Sequence, residues 1–141
     1  MSMSISFEGL TAMKQAIADA KREVRAEVER AVATSVNDIH GAAKKRIQHG
    51  PASGATYQSS VSEGKLHVAS APGEPPMSDS GDLASSIAKQ TDGLTGYVFT
   101  PLDYGRFLEF GTSKMKPRPW LLPSLEEEAP KFRDRLQRIL Q

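Results

Sequence analysis

From residue 10 to residue 47 the apolar positions Leu10, Met13, Ile17, Ala20, Val24, Val28, Val32, Val36, Ile39, Ala43 and Ile47 advance by threes and fours, which is the pattern of one face of an α-helix. Lys14, Asp19, Arg22, Arg25, Glu29 and Arg30 fall off that face. The mean step is about 3.7 residues, longer than the 3.5 of a left-handed coiled coil. The pattern therefore predicts a helix over about residues 8–48 that rests on a core or on neighbours instead of winding into a two-stranded zipper. At about 1.5 Å per residue this helix is on the order of 57 Å long, whereas a compact domain of this chain length is only about 37 Å across. Either it bends or breaks near Ser35-Val36-Asn37-Asp38 or at Gly41, where helix propensity is weak, or one end projects beyond the domain onto another subunit.

All nine prolines follow residue 50, so a helix-permitting first third gives way, at His49-Gly50-Pro51-Ala52-Ser53-Gly54, to a turn-rich body over about residues 55–141. Tyr57–Ser62 and Lys65–Ser70 flank Glu63-Gly64 and predict a hairpin. Ala71-Pro72-Gly73-Glu74-Pro75-Pro76-Met77 is an irregular loop. Ser80 is placed to cap a short helix running through Gln90, with Leu83 and Ile87 on one face. Leu94–Thr100 reads as a strand, Asp103 as an N-cap, and Tyr104, Phe107 and Leu108 as the buried face of a short helix ended by Gly111. Lys114–Trp120 is extended because its prolines reject helix. A last helix starts at Ser124 with Glu126, Glu127 and Glu128 and ends with Arg133, Arg135 and Arg138, the charge order its dipole favours. Pro130 kinks or restarts it, and Phe132, Leu136, Ile139 and Leu140 form its apolar face.

The 141 residues set 18 basic against 17 acidic side chains, are 38% apolar, and contain no cysteine. That describes one ordinary domain, 1–141, large enough to bury a core without staples. It excludes a disulfide framework, thiolate zinc sites and a cysteine nucleophile. A net charge of +1 leaves any attraction to nucleic acid to local patches. Met1–Ser6 carries no basic residue and is followed by Glu8, Lys14, Asp19 and Lys21, so neither a signal core nor a bilayer-spanning run is expected.

Chemical motifs are scarce. Gly105–Lys114 has the look of a phosphate loop, but five residues separate its glycines and lysine does not follow the second. His40, His49 and His67 show no ligand spacing. There is no nucleophile elbow or His-Glu-x-x-His helix, and Asp79, Asp82, Asp103 and Glu109 sit where caps and salt bridges explain them. No catalytic residue, metal or cofactor is expected. Lys44, Lys45 and Arg46, with His49, form one basic cluster where a helix C-terminus favours cations; Lys114, Lys116 and Arg118 form another, and either could face DNA. Pro72-x-x-Pro75 reads as a stiff loop.

Two stretches taken together resemble something specific. Ala71-Pro72-Gly73-Glu74-Pro75-Pro76, then Ser80-Gly81-Asp82-Leu83-Ala84-Ser85-Ser86-Ile87, is similar to the "PGEPP, then (S/T)G-x-L-x-x-SI" pattern of the "gene product ten" family of tailed-phage neck, or tail-completion, proteins. Tyr104-Gly105-Arg106-Phe107-Leu108-Glu109-Phe110-Gly111-Thr112, running into Met115-Lys116-Pro117-Arg118-Pro119-Trp120-Leu121-Leu122-Pro123, resembles that family's second signature. Gly105 stands where alanine is usual and loosens its helix, and Trp120 replaces the commoner phenylalanine. The resemblance implies an α+β domain whose helices pack on a small, mainly antiparallel sheet. It implies a non-enzymatic virion protein, assembled in the bacterial cytoplasm, that forms a ring, sixfold to match the tail. Its partners would be further copies of itself, the head-closure or stopper protein, and the tail terminator or tail tube, with DNA passing through the channel. A tail terminator, or a small nucleic-acid-binding protein acting through the basic clusters, are the alternatives.

Within the motifs, Gly111 ends a helix where a reversed backbone is required and Thr112 caps the next segment. Pro117-Arg118-Pro119 holds Arg118 on a rigid strut, with Glu109 its expected partner within the subunit or across the ring. Trp120, Phe107 and Phe110 are the large anchors of a core or an interface. Gly81, Leu83 and Ile87 carry the other motif, the Ser80–Ile87 stretch.

Overall fold

A computed structural model describes residues 8–141. Met1–Ser6, where a signal core was sought, and the side chain of Leu10 lie outside the described residues. Among the described residues no helix is long and apolar enough to cross a membrane.

The first helix, α1, runs without interruption over Glu8–His49, about 63 Å at 1.5 Å per residue. Neither Ser35–Asp38 nor Gly41 breaks it. The length mismatch is resolved by projection: residues 11–25 are exposed throughout, while Ala31, Val32, Val36, Ala43 and Ile47 further along the same stripe are buried.

The body packs on this second half. Strands β1 (Thr56–Gln58) and β2 (Leu66–Val68) form the expected hairpin, Tyr57 opposite His67, with Gly64 in the left-handed region (φ 77°). Helix α2 covers only Asp82–Ser86. The expected continuation to Gln90 is instead strand β3 (Ala88–Asp92), antiparallel to β4 (Thr95–Phe99). The overriding cause is the Asp92-Gly93 turn, with Gly93 at φ 58°, a tight-hairpin signal that pairs a polar strand onto an apolar one. Ser80 does not cap α2: its N-cap is Gly81, at φ 82°. The fold is thus mixed α+β, with two separate two-stranded antiparallel sheets in place of one.

Helix α3 spans Asp103–Phe110 and α4 spans Leu122–Ile139. Asp103 is the first residue of α3, not its cap; Leu102 holds that position, and Thr100 Oγ1 accepts the Leu102 N–H at 3.2 Å. The last helix starts two residues before Ser124, with proline in its first turn, where a missing N–H does no harm, and continues through Pro130. Arg46 meets Ser124 and Glu127, and Ser35 meets Glu128 and Arg135, so α4 runs antiparallel to α1. Strand β4 comes so close to α1 that a Cβ on Gly96 would collide with Val36 Cγ2; only glycine fits there. Ala43, Ile47, Leu83, Ala84, Ile87 and Trp120 form the main core.

Candidate functional site

The segment from Tyr104 to Pro123 folds into a bracket in which α3 and α4 hold each other. The first amides of any helix lack intrahelical partners and carry its positive dipole end. The amides that lead into α4 are satisfied from a distance. Glu109 Oε2 accepts the N–H groups of Trp120 (2.8 Å) and Leu121 (2.9 Å), and Oε1 accepts that of Leu122 (2.8 Å). Glu109 is therefore not the partner of Arg118 within the subunit: both its oxygens are committed to backbone N–H groups.

Trp120, 1% exposed, is the second fastening. Its indole Nε1 donates to the Gly105 carbonyl at 3.0 Å. A Cβ at Gly105 would lie 2.6 Å from Thr100 Cγ2 and 3.1 Å from Leu83 Cδ1, so this glycine marks a close approach and the helix is pinned there, not loosened. Leu83 and Ile87, on α2 and at its end, are buried beside Trp120. The two sequence motifs thus meet around one indole.

They also meet through backbone. The Gly73 N–H donates to the Pro117 carbonyl at 3.0 Å, and the Arg118 N–H to the Leu108 carbonyl at 2.6 Å. Gly111 ends α3 at φ 73°, its N–H on the Phe107 carbonyl; a Cβ there would meet Met115 O at 2.7 Å and the Pro117 ring at 2.9 Å. Thr112 pairs with Met115 across the following turn, and its Oγ1 accepts the Lys114 N–H at 3.2 Å. Arg118 is half-buried beside half-buried Pro119, and its Nε has no hydrogen-bond partner among the described residues. Its charge lies near Glu74, whose carboxyl is held below its usual range first by the Ser53 hydroxyl and then by the Ala71 amide.

The expected buried face of α3 is rotated. Gly105 and Glu109 are buried, whereas Tyr104 and Phe107 are partly exposed and Phe110 is 72% exposed. Burial, and then the charge of Asp82, raise the Tyr104 phenol, and Arg106 stacks 5.5 Å from the Phe107 ring centroid. Phe110 lines an open groove of about 420 Å³ with Phe99, Leu122 and Leu125.

Of the basic residues, Arg46 is committed to α4, donating to Ser124 Oγ at 3.1 Å and Glu127 Oε2 at 2.7 Å; Lys45 is exposed and Lys44 half-buried. Sequence reasoning missed a buried polar cluster between α1 and α4. Glu128, 3% exposed, accepts from Ser35 at 3.0 Å and pairs with Arg135, which reaches Asp38 at 2.9 Å. Glu128 first, through its hydrogen bond, raises the Arg135 guanidinium pKa further. Only the polar position Ser35 within an apolar turn of α1 hinted at it. Among the described residues no cluster of His, Asp and Glu is arranged to hold a metal.

Compared with known proteins, residues 11–111 match the family described as "Bacteriophage HK97-gp10, putative tail-component". No curated protein and no solved structure matches the chain.

Proposed function

Because this chain belongs to the HK97 gp10-like family of bacteriophage tail components, we propose that it is a non-enzymatic ring component of the virion neck, joining the head-closure complex to the tail around a DNA channel, six copies to the ring. The observation that carries this reading is the division of labour in the bracket. Glu109 and the Trp120 indole are consumed by internal bonds that fix the bracket's shape. The adjoining Phe110, Leu122 and Leu125 stay in solvent, as a joining surface requires. The nucleic-acid-binding alternative loses Arg46 to its ion pair with Glu127.

The test is location. Labelled chain in purified particles is expected at the junction of head and tail, in a closed ring of six. Absence of the chain from particles, or turnover of a substrate by the purified protein, overturns the proposal. DNA binding by the isolated chain that weakens steeply with salt would favour the nucleic-acid reading.

A further inference from the structure

We infer that the exposed first half of α1 is an arm that lies in the Phe110 groove of a second copy of this chain, so that each subunit completes the surface of its neighbour. This rests on the ring reading and names the contact within it. Three observations lead to it.

The first is continuity. Ile17, Ala20, Val24 and Val28 line an apolar concavity with Leu94, at the β3–β4 turn. Leu94 also lines a second one, with Val36, Leu125 and Phe132, and Leu125 lines the Phe110 groove. One apolar strip therefore runs from the arm to the bracket.

The second is area. Ile17, Val24, Leu94, Phe99, Phe110, Leu122 and Leu125 are each between 38% and 72% exposed, which leaves on the order of 700 Å² of apolar side chain in water. Arm and groove face each other across the proposed contact, so this sum counts both partners and supplies roughly half of a standard interface of about 1,600 Å².

The third is geometry. Ile17 precedes Arg46, which touches the start of α4, by 29 residues of uninterrupted helix, about 43 Å. A subunit cannot fold its own arm into its own groove. The arm patch is one row on a single helix, Ile17, Ala20 and Val24, whereas the groove is lined from β4, α3 and the start of α4, so the two patches are different. Contacts between different patches are head-to-tail, and they close into rings when the rotation allows.

The chain has no cysteine, so Ile17→Cys and Leu122→Cys together create the only thiols. Particles built from the double variant, treated with a short bis-maleimide, are expected to give a ladder of linked chains up to the full ring. Either single variant is expected to give none. Both positions are about half-exposed, and circular dichroism of the purified variants checks that they fold as the parent does. Dimers from Ile17→Cys alone would overturn the proposal in favour of arm-to-arm pairing. A ring of normal size without links in the double variant would overturn the arm contact while leaving the ring intact. Particles in which the chain forms no ring would overturn the ring reading and the arm contact together.

Discussion

The two halves of α1 carry one apolar stripe with one period and meet opposite fates. Residues 31–47 bury theirs against α2, β3, β4 and α4, whereas residues 11–25 present the same kind of side chains, Met13, Ile17 and Val24, to solvent. Periodicity thus fixes which side of a helix is meant for contact and says nothing about whether the contact lies within the chain. The second half is also where polar groups are bound, Ser35 and Asp38 to α4 and His40 to the Ile87 carbonyl at 3.0 Å. Polar pairs on the first half, Arg22 with Asp19 and Arg25 with Glu29, stay within the helix.

The sharpest way to break this contrast is one substitution made in both halves. Val36→Asp places a carboxylate against Gly96 and is expected to cost more than about 4 kcal/mol, leaving no cooperative urea transition. Next, Glu128→Ala removes the buried anion of the cluster and leaves Arg135 with half-exposed Asp38 as its remaining ion-pair partner. Because the arginine side chain keeps 23% of its exposure, the loss is expected at about 3 kcal/mol in urea melts, the lower end for a broken buried pair. Glu109→Gln keeps the shape but removes the charge from three amides and turns a donor toward them. About 2 kcal/mol is expected, with faster hydrogen exchange at Trp120, Leu121 and Leu122 and unchanged exchange in α1.

A smaller effect of acid is expected at two loop carboxyls. The carboxyls of Glu74 and Asp79 are held low, chiefly by the hydroxyls of Ser53 and Ser59 respectively. Their contribution is complete above the ordinary carboxylate range, about pH 4, and is lost as pH falls through the depressed values. Amide resonances of Ser53, Ser60 and Ala71 are expected to shift there before the helices melt. Smallest of all, Val24→Asp on the arm is expected to change monomer stability by less than about 0.5 kcal/mol. A large loss there would show that the arm is held within its own subunit.

Much of the fold was legible because its signals are local. The α1 stripe, the Glu63-Gly64 hairpin and the glycine stop at Gly111 each depend on residues a few positions apart, whereas α4 begins two residues earlier than its glutamates suggested and has no acidic residue in its first turn. Strand β3 was missed although Asp92-Gly93 announced it, because Ser80, Leu83 and Ile87 offered a competing helical spacing that α2 satisfies in only five residues. The bracket residues were legible as a motif but not as a mechanism. Arg118 and Glu109 suggested a charge pair, while the partners of Glu109 are amides, which every residue but proline carries and which no side-chain pattern can mark. The buried face of α3 turned because Gly105, lacking a side chain, admits Thr100, Leu83 and the indole, and the phenylalanines go to the other side. Ser35, Glu128 and Arg135 lie about a hundred positions apart in part, beyond any local rule.

Since α1 is one unbroken rod, its outer portion is mechanically geared to the body. Each residue turns the rod by about 100° and advances it by about 1.5 Å. A single insertion near Arg30 would therefore swing Ile17 and Val24 a quarter-turn away without disturbing Trp120, whereas adding seven would restore their heading and lengthen the reach by about 10 Å. The reach of the arm can be retuned in such whole-turn increments while the core sequence stays unchanged.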